Sequence, residues 1–393
     1  MIDRLEALGR VLGETVSGPA DTVPLENALG RILARDVASD VDQPPFNKSS
    51  MDGYACRMVD IGAPLRVLEH IPAGSVPRYA IEPGTCAKIM TGAPVPEGAD
   101  CVLMVEHVEP IDDDTVRYTR DETKPNICPR GEDVRVGDRL LTAGTRLTPA
   151  HLPVLASVGC TTPEVSAQPR VAVMATGDEL VPPQSTPGAG KIRNSNSVQL
   201  TALAHNAGAI ATDLGIVSDS KDAMVEAWAH ALADHDVVLS TGGVSMGDYD
   251  LVPDILAHHG FTVHFDRVAI QPGKPVLFAT RSEQVCFGLS GNPVSSFLQF
   301  MLFVTPHLWR RQGLDYQPRE IQLPLGQDFR RRNGGREGWV PVRIADGTRV
   351  LPVEFHGSAH IHALTGADGL MAFPPGVTEM EAGRPVAVRL LDG

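Results

Sequence analysis

The chain has 393 residues, 42% of them hydrophobic and 21% charged, and carries a formal net charge of −14. That length exceeds one ordinary core and implies about two to four domains. The charge argues against a nucleic-acid partner, and no apolar run approaches the roughly 20 residues a membrane helix needs.

Residues 1 to about 20 read as a helix, with Ile2, Leu5, Leu8 and Leu12 at helical spacing and Asp3, Arg4 and Glu6 between them. This is not the pattern of a secretory leader, and a cytoplasmic protein is expected. From Pro24 the apolar residues come in short runs between Pro and Gly. Segments 65–71, 86–90, 101–108 and 115–119 then read as strands separated by Pro- and Gly-containing turns, which predicts an all-β module.

The pattern changes near Arg170. A short apolar strand at 171–175 runs into Thr176-Gly177-Asp178-Glu179, and a helix capped near Ser195 or Asn196 follows to Ala207. Next come a strand at 209–217, a helix at 221–234, and a strand at 237–240 that stops at Thr241-Gly242-Gly243. A helix at 252–258, strands at 276–280 and 285–289, and one long helix at 294–310 complete the region. Strands alternating with helices predict a parallel sheet covered on both faces, with ligands beyond the carboxyl ends of its strands. From Pro318 the strand pattern returns at 321–325, 339–344, 349–353 and 385–391, predicting a small β-barrel or sandwich. The fold class is therefore α/β plus β, in a multidomain chain.

An anionic substrate in so acidic a protein needs a metal ion, backbone N–H groups or a local basic cluster. Thr176-Gly177-Asp178-Glu179 and the segment from Ser240 to Asp250 each follow a predicted strand, where glycines allow sharp turns and N–H groups can meet an anion. Either turn alone would be unremarkable; two in one α/β region, both acidic, point to phosphate. Neither is a P-loop, and no Gly-x-Gly-x-x-Gly fingerprint is present. Ser290-Gly291-Asn292-Pro293 is a third such turn, with Pro suited to the first turn of a helix. Pro272-Gly273-Lys274-Pro275, with Arg267 upstream, offers local positive charge.

Glu179, Asp219 and Asp250 fall at predicted strand ends and could converge. Two carboxylates ~4 Å apart repel by roughly 4 kcal/mol at an effective dielectric near 20, so convergence calls for a shared proton or a cation. Beside phosphate, Mg²⁺ or another divalent ion fits. His356, His360 and His362 would share one face of a strand. They stand apart from the other motifs with no evident carboxylate partner, so a polar sheet or loop face is expected there. The six cysteines are scattered with no Cys-x-x-Cys pair, which predicts buried or incidental thiols.

In order, PPFNKSSMDGYA (44–55), TGAPVPEGAD (91–100), RGEDVRVGD (130–138), ATGDEL, KIRNSNS (191–197), STGGVSMGDYD (240–250), QPGKP and LSGNPVS occur along essentially the whole chain. Together they resemble the molybdopterin molybdenumtransferase family (MoeA), whose eukaryotic counterpart is the gephyrin E domain. The resemblance implies an αβα molybdopterin-binding, adenylyltransferase-like domain (1–19 and 169–317). It further implies a linking domain (20–37 and 138–168), a β-rich domain carrying SMDGYA (38–137) and a C-terminal β-barrel (318–393). It also implies a homodimer with a composite active site, conversion of adenylylated molybdopterin and molybdate to molybdenum cofactor and AMP, Mg²⁺ dependence, and transient contact with other proteins of that biosynthesis.

The matching positions implied to be catalytic are Asp52, Asp133, Glu179, Asp250 and Lys274, with Glu179, Asp219 and Asp250 on the metal and Asp52 and Asp133 acting from the partner subunit. Those implied to bind substrate are Thr91, Thr176, Gly177, Ser195, Thr241, Gly242, Gly243, Ser245, Arg267, Pro272, Gly273, Asn292, Pro293, Arg336 and Ser358. Gln271, Arg267 and Asn47-Lys48 depart from the residues usual in the family, and Gln271 removes a positive charge from the implied anion pocket. The adenylylating enzyme of the same superfamily would account for TGDEL and STGGVSMGDYD alone. A non-catalytic scaffold would not need the retained acids and bases.

Overall fold

The computed structural model describes residues 1–243 and 251–391. Its centre is a six-stranded sheet in the order Ile210–Val217, Arg170–Thr176, Val237–Thr241, Gln284–Leu289, Pro275–Arg281, Thr262–Arg267. The first four strands are parallel and the last two are antiparallel. The all-parallel expectation is thus corrected. Only Ser282 and Glu283 separate Pro275–Arg281 from Gln284–Leu289, with Ser282 at φ 51°. A two-residue connection can join antiparallel strands only.

Both faces are covered. Val171, Val173, Val237, Leu239, Phe278 and Phe287 meet the N-terminal and C-terminal helices on one side. Ala172, Met174, Val238 and Cys286 meet Trp228 and Ile255 on the other. Fully buried strands need no polar alternation, which is why they read as continuous apolar runs.

The N-terminal helix, Arg4–Gly13, is shorter than predicted, and its buried residues are Ala7 and Val11. Leu5 is 67% exposed, so the helix is turned away from the expected stripe. Small Ala7 and branched Val11 pack against the core that includes Phe300 and Leu308. The predicted single helix from 294 to 310 is three pieces: Pro293–Gln299, a π-helical turn at Phe300–Val304, and Thr305–Arg311. Pro306 has no N–H to donate to the preceding turn, which favours wider local winding.

The β-rich part is a six-stranded sheet containing Gly53–Cys56, Leu65–Ile71, Thr85–Ile89, Cys101–Met104, Val108–Pro110 and Thr115–Tyr118. Gly53 explains the glycine of SMDGYA: a Cβ there would lie 1.8 Å from the Leu103 carbonyl oxygen. Cys56 pairs with Cys86 on one side and Cys101 on the other. These three scattered cysteines are therefore neighbours in one core, as thiols.

A small cluster around Val23, Ala28, Leu33, Leu147, Leu155 and Val165 lies between this sheet and the α/β core in sequence. At the C-terminal end, Glu320–Pro324, Glu337–Ala345, Arg349–Pro352, Gly369–Phe373 and Pro385–Leu390 form one sheet. A bridge from Leu325 to Val350 closes it on itself, around Val340, Val342, Met371 and Val388. Ile270–Gln271 adds to the edge of this sheet by pairing with Glu337 and Gly338, so the turn that follows Gln271 stands between barrel and α/β core. No helix among the described residues is long and apolar enough to cross a membrane.

Candidate functional site

The carboxyl ends of the parallel strands open onto a cleft of about 1250 Å³, closed on the far side by the barrel. Thr176, Gly177 and Glu179 line it from the end of Arg170–Thr176, Asp219 from beyond Ile210–Val217, and Gly242 and Gly243 from beyond Val237–Thr241. Asn292 and Ser290 contribute the third turn; Gln271, Pro272, Gly273 and Lys274 form the floor toward the barrel. Across from them stand Arg330, Arg331, Arg332, Arg336 and Ser358.

The turns are locked together by buried amides. Asn196 donates to Thr241 Oγ1 (2.9 Å) and to the Gly291 carbonyl (2.8 Å). Thr241 in turn donates to the Ser290 carbonyl (3.0 Å), so its hydroxyl is structural and Thr241 itself is buried. Fully buried Gln299 accepts from the Ser290 N–H (2.8 Å) and donates to the carbonyls of Gly273 (2.8 Å) and Pro275 (2.7 Å). Gly242 sits at φ 95°, where a Cβ would meet the Thr176 carbonyl oxygen at 2.3 Å. Close contact between these two turns therefore demands glycine. Thr176 Oγ1 and Gln271 Oε1 are buried and find no hydrogen-bond partner among the described residues. Buried polar groups are seldom left so, and both residues line the cleft.

The helix Asn196–Asn206 is capped by Asn194, whose Oδ1 accepts from the Ser197 N–H (3.1 Å) while its amide donates to Ser197 Oγ (2.8 Å). Of the expected cap positions, Ser195 or Asn196, Ser195 does hold the N-cap, but its side chain makes no capping bond and it does not line the cleft.

Asp178, Glu179 and Asp219 gather at two adjacent strand ends. Asp178 N–H donates to Asp219 Oδ2 (3.3 Å) and Asp219 N–H returns to Asp178 Oδ1 (3.4 Å). Burial holds the Asp219 carboxyl above the usual range; the Asp178 N–H opposes this, and the Asp178 and Glu179 charges add to it. Among the described residues no set of three or more His, Cys, Asp or Glu side chains is arranged to hold a metal ion. Ser245 and Asp250, expected at this site, lie outside the described residues. The donors present still fit Mg²⁺, which takes hard oxygens and is commonly held by one or two carboxylates plus substrate phosphates.

Asp219 carries a stability prediction. A carboxyl whose pKa is raised by folding costs stability when ionised. That cost is full above the folded pKa and is lost as pH falls toward the unfolded value near 4. Without divalent metal, Asp219→Asn should melt roughly 1–3 °C above the parent at pH 7, the gap narrowing toward pH 4. Thermal melts across that range check it, and equal melting temperatures at pH 7 would refute it.

Three family models match in succession. They are the MoeA N-terminal region (domain I and II) over residues 2–159, the "Probable molybdopterin binding domain" over residues 172–310 and the MoeA C-terminal region (domain IV) over residues 322–391. A molybdopterin molybdenumtransferase of Staphylococcus aureus is 36% identical over 404 residues, spanning 98% of this chain and 95% of the relative. One of Bacillus subtilis is 36% identical over 401 residues, spanning 98% and 93%. The crystal structure of the molybdopterin biosynthesis MoeA protein from Pyrococcus horikosii superimposes with a TM-score of 0.89 at 30% identity, covering 100% of both chains. The chain belongs to the MoeA family.

Not every residue that MoeA resemblance singles out lies in the cleft. Asp52 and Thr91 sit together on the β-rich sheet: the Thr91 N–H (2.7 Å) and hydroxyl (2.8 Å) both donate to Asp52 Oδ1. The Thr91 N–H first, then its hydroxyl, hold the Asp52 carboxyl below its usual pKa. Asp133 is exposed on the same part of the molecule, its N–H bonded to the Gln43 carbonyl (3.0 Å). None of the three lines the cleft of its own chain.

Arg267 is 3.5 Å from Asp266 and does not line the cleft either. It ends the outermost antiparallel strand, a place the all-parallel expectation did not provide. Pro293 opens its helix as expected. The histidine segment takes the loop alternative of the expected sheet or loop face, leading into a short 3₁₀ turn, Ile361–Leu364, and corrects the rest of that expectation. His356 also lines the cleft rather than standing apart from it, bonds Glu354 (2.9 Å), and stacks on His360 at 4.7 Å between centroids.

Sequence reasoning missed Asn196, Gln299 and the run Arg330-Arg331-Arg332. The signals were present: a lone amide in the apolar helix SSFLQFMLFV must be hydrogen-bonded if buried, and three consecutive arginines are conspicuous in an acidic chain.

Proposed function

We propose that this chain is a molybdopterin molybdenumtransferase that inserts molybdate into adenylylated molybdopterin, giving molybdenum cofactor and AMP. The observation that carries the reading is the opposition, within one cleft, of glycine turns and the Glu179–Asp219 pair to Lys274, Arg336 and Ser358. The turns containing Thr176-Gly177, Gly242-Gly243 and Asn292 bind the nucleotide phosphates through N–H and hydroxyl donors. Lys274, Arg336 and Ser358 hold molybdate. Arg336 is already oriented by its bond to the Ile270 carbonyl (2.9 Å). Arg267 is left out of this assignment because Asp266 engages it outside the cleft.

A divalent ion, Mg²⁺ in our reading, would supply charge neutralisation and polarise phosphoryl oxygen. Glu179 and Asp219 would hold it, with Asp250 as third ligand. The protein's own contribution is positioning and fixed electrostatics, which dominate phosphoryl chemistry. Asp52, Thr91 and Asp133 take part, in this reading, by entering the partner subunit's cleft in a homodimer.

Incubation with adenylylated molybdopterin, Mg²⁺ and molybdate should release AMP and yield active cofactor. Folded protein that produces neither would end the transferase reading, and omission of Mg²⁺ without effect would end its metal requirement.

A further inference from the structure

The four arginines on the barrel wall do different things. Arg331 crosses Gly338, where a Cβ would come within 2.1 Å of its Nη1, and lies over the Phe373 ring at 5.3 Å. It donates to the carbonyls of Val377 (2.7 Å), Arg336 (2.9 Å) and Pro374 (3.0 Å). Arg336 is bonded to the Ile270 carbonyl, and Arg330 is 3.4 Å from Glu379. Arg332 is exposed, lines the same cleft, and makes no hydrogen bond or ion pair among the described residues.

The backbone that carries Arg332 is held without any ligand. The Arg331 bond to the Arg336 carbonyl closes the loop, the Gly335 N–H donates to Asn333 Oδ1 (2.9 Å), and the Gly376 N–H donates to the Gly334 carbonyl (2.8 Å). Arg331 is turned onto Phe373 and Arg330 is beside Glu379, which leaves Arg332, at a bend just past the strand Phe329–Arg330, as the one of the three with no partner among the described residues. Glycine at 338, the three carbonyls and the ring thus amount to a built support whose product is one unengaged guanidinium facing the phosphate turns.

We propose that Arg332 is a ligand for a tetrahedral oxyanion, the nucleotide phosphate of the large substrate rather than free molybdate. A guanidinium fork matches phosphate oxygens in pairs. An exposed cation holds a small free dianion poorly because salt and water screen it. A phosphate anchored by the rest of a large ligand is delivered to the rim with its position already restricted. The inference rests on the transferase reading of the cleft.

Binding of AMP with Mg²⁺, and separately of molybdate, should be measured by calorimetry on the full chain and on Arg332→Ala and Arg332→Lys. Arg332→Ala should weaken AMP about tenfold, the size of one charge-assisted hydrogen bond, with molybdate affinity and melting temperature unchanged. Arg332→Lys should restore part of the loss. Unchanged AMP affinity in Arg332→Ala, or an equal loss for molybdate, would overturn the assignment while leaving the transferase reading intact. Wild-type protein that binds neither ligand would overturn both.

Discussion

Gln299→Leu is expected to lower the urea midpoint of the α/β core sharply and to cut kcat/KM by about 10²-fold. The side chain is fully buried and satisfies one donor and two acceptors, on Ser290, Gly273 and Pro275. Leucine fills similar space but leaves all three without a partner, at about 1–3 kcal/mol each. The expected loss is therefore at most roughly 3–9 kcal/mol, reduced by whatever water or backbone shift can reach the site. The functional loss has the same origin: the bonds join the turn before Pro293–Gln299 to the turn that carries Lys274, and a displacement of about 1 Å in either spoils positioning. Urea unfolding followed by tryptophan fluorescence, with Trp228 fully buried in this core, reads the first effect. AMP release reads the second. A parent-like midpoint would mean that the bridge is dispensable.

Gln299 also marks where sequence reasoning stops. Elements defined by one local period were legible: Lys221–Asp234 and Leu65–Ile71 match their predicted ranges, because a helical or strand pattern there coincides with the buried face. The fold class was legible too, since strand–helix alternation and short punctuated strands occupy separate stretches. Relations between distant segments were not. Nothing local says that Pro275–Arg281 runs antiparallel until its two-residue link is weighed against the alternation around it. The stripe of Leu5 and Leu12 is as regular as that of Ala7 and Val11, and only the helices packed against it choose between them.

The site divides in the same way. Glycine turns at strand ends were recognisable because strand termination and phosphate chemistry use the same residues. The cross-links through Asn196 and Gln299 pair residues far apart in sequence, and polar side chains inside an apolar helix have no period to reveal them. Arg331 is the clearest case. In the sequence it is one of three identical neighbours, and only the carbonyls of Val377 and Pro374 distinguish its structural part from that of Arg332.

Glu179 should show the opposite behaviour to Gln299. Its side chain is exposed at the end of a parallel strand and accepts no hydrogen bond among the described residues. Exposed groups without such partners usually alter stability by no more than about 0.5 kcal/mol, so Glu179→Ala should melt within about 1 °C of the parent. Its activity should nevertheless fall by about 10²-fold or more, the size of losing one preorganised electrostatic group. Glu179→Gln separates charge from shape, because the amide occupies the same space. If the carboxylate holds a cation beside Asp219, the amide should be nearly as inactive as alanine, and higher Mg²⁺ should recover part of the rate. Near-normal AMP release by Glu179→Gln would remove the residue from the metal and leave Asp219 without its proposed partner. Loss of activity together with a large fall in melting temperature would instead assign Glu179 a structural part that its surroundings give no reason to expect.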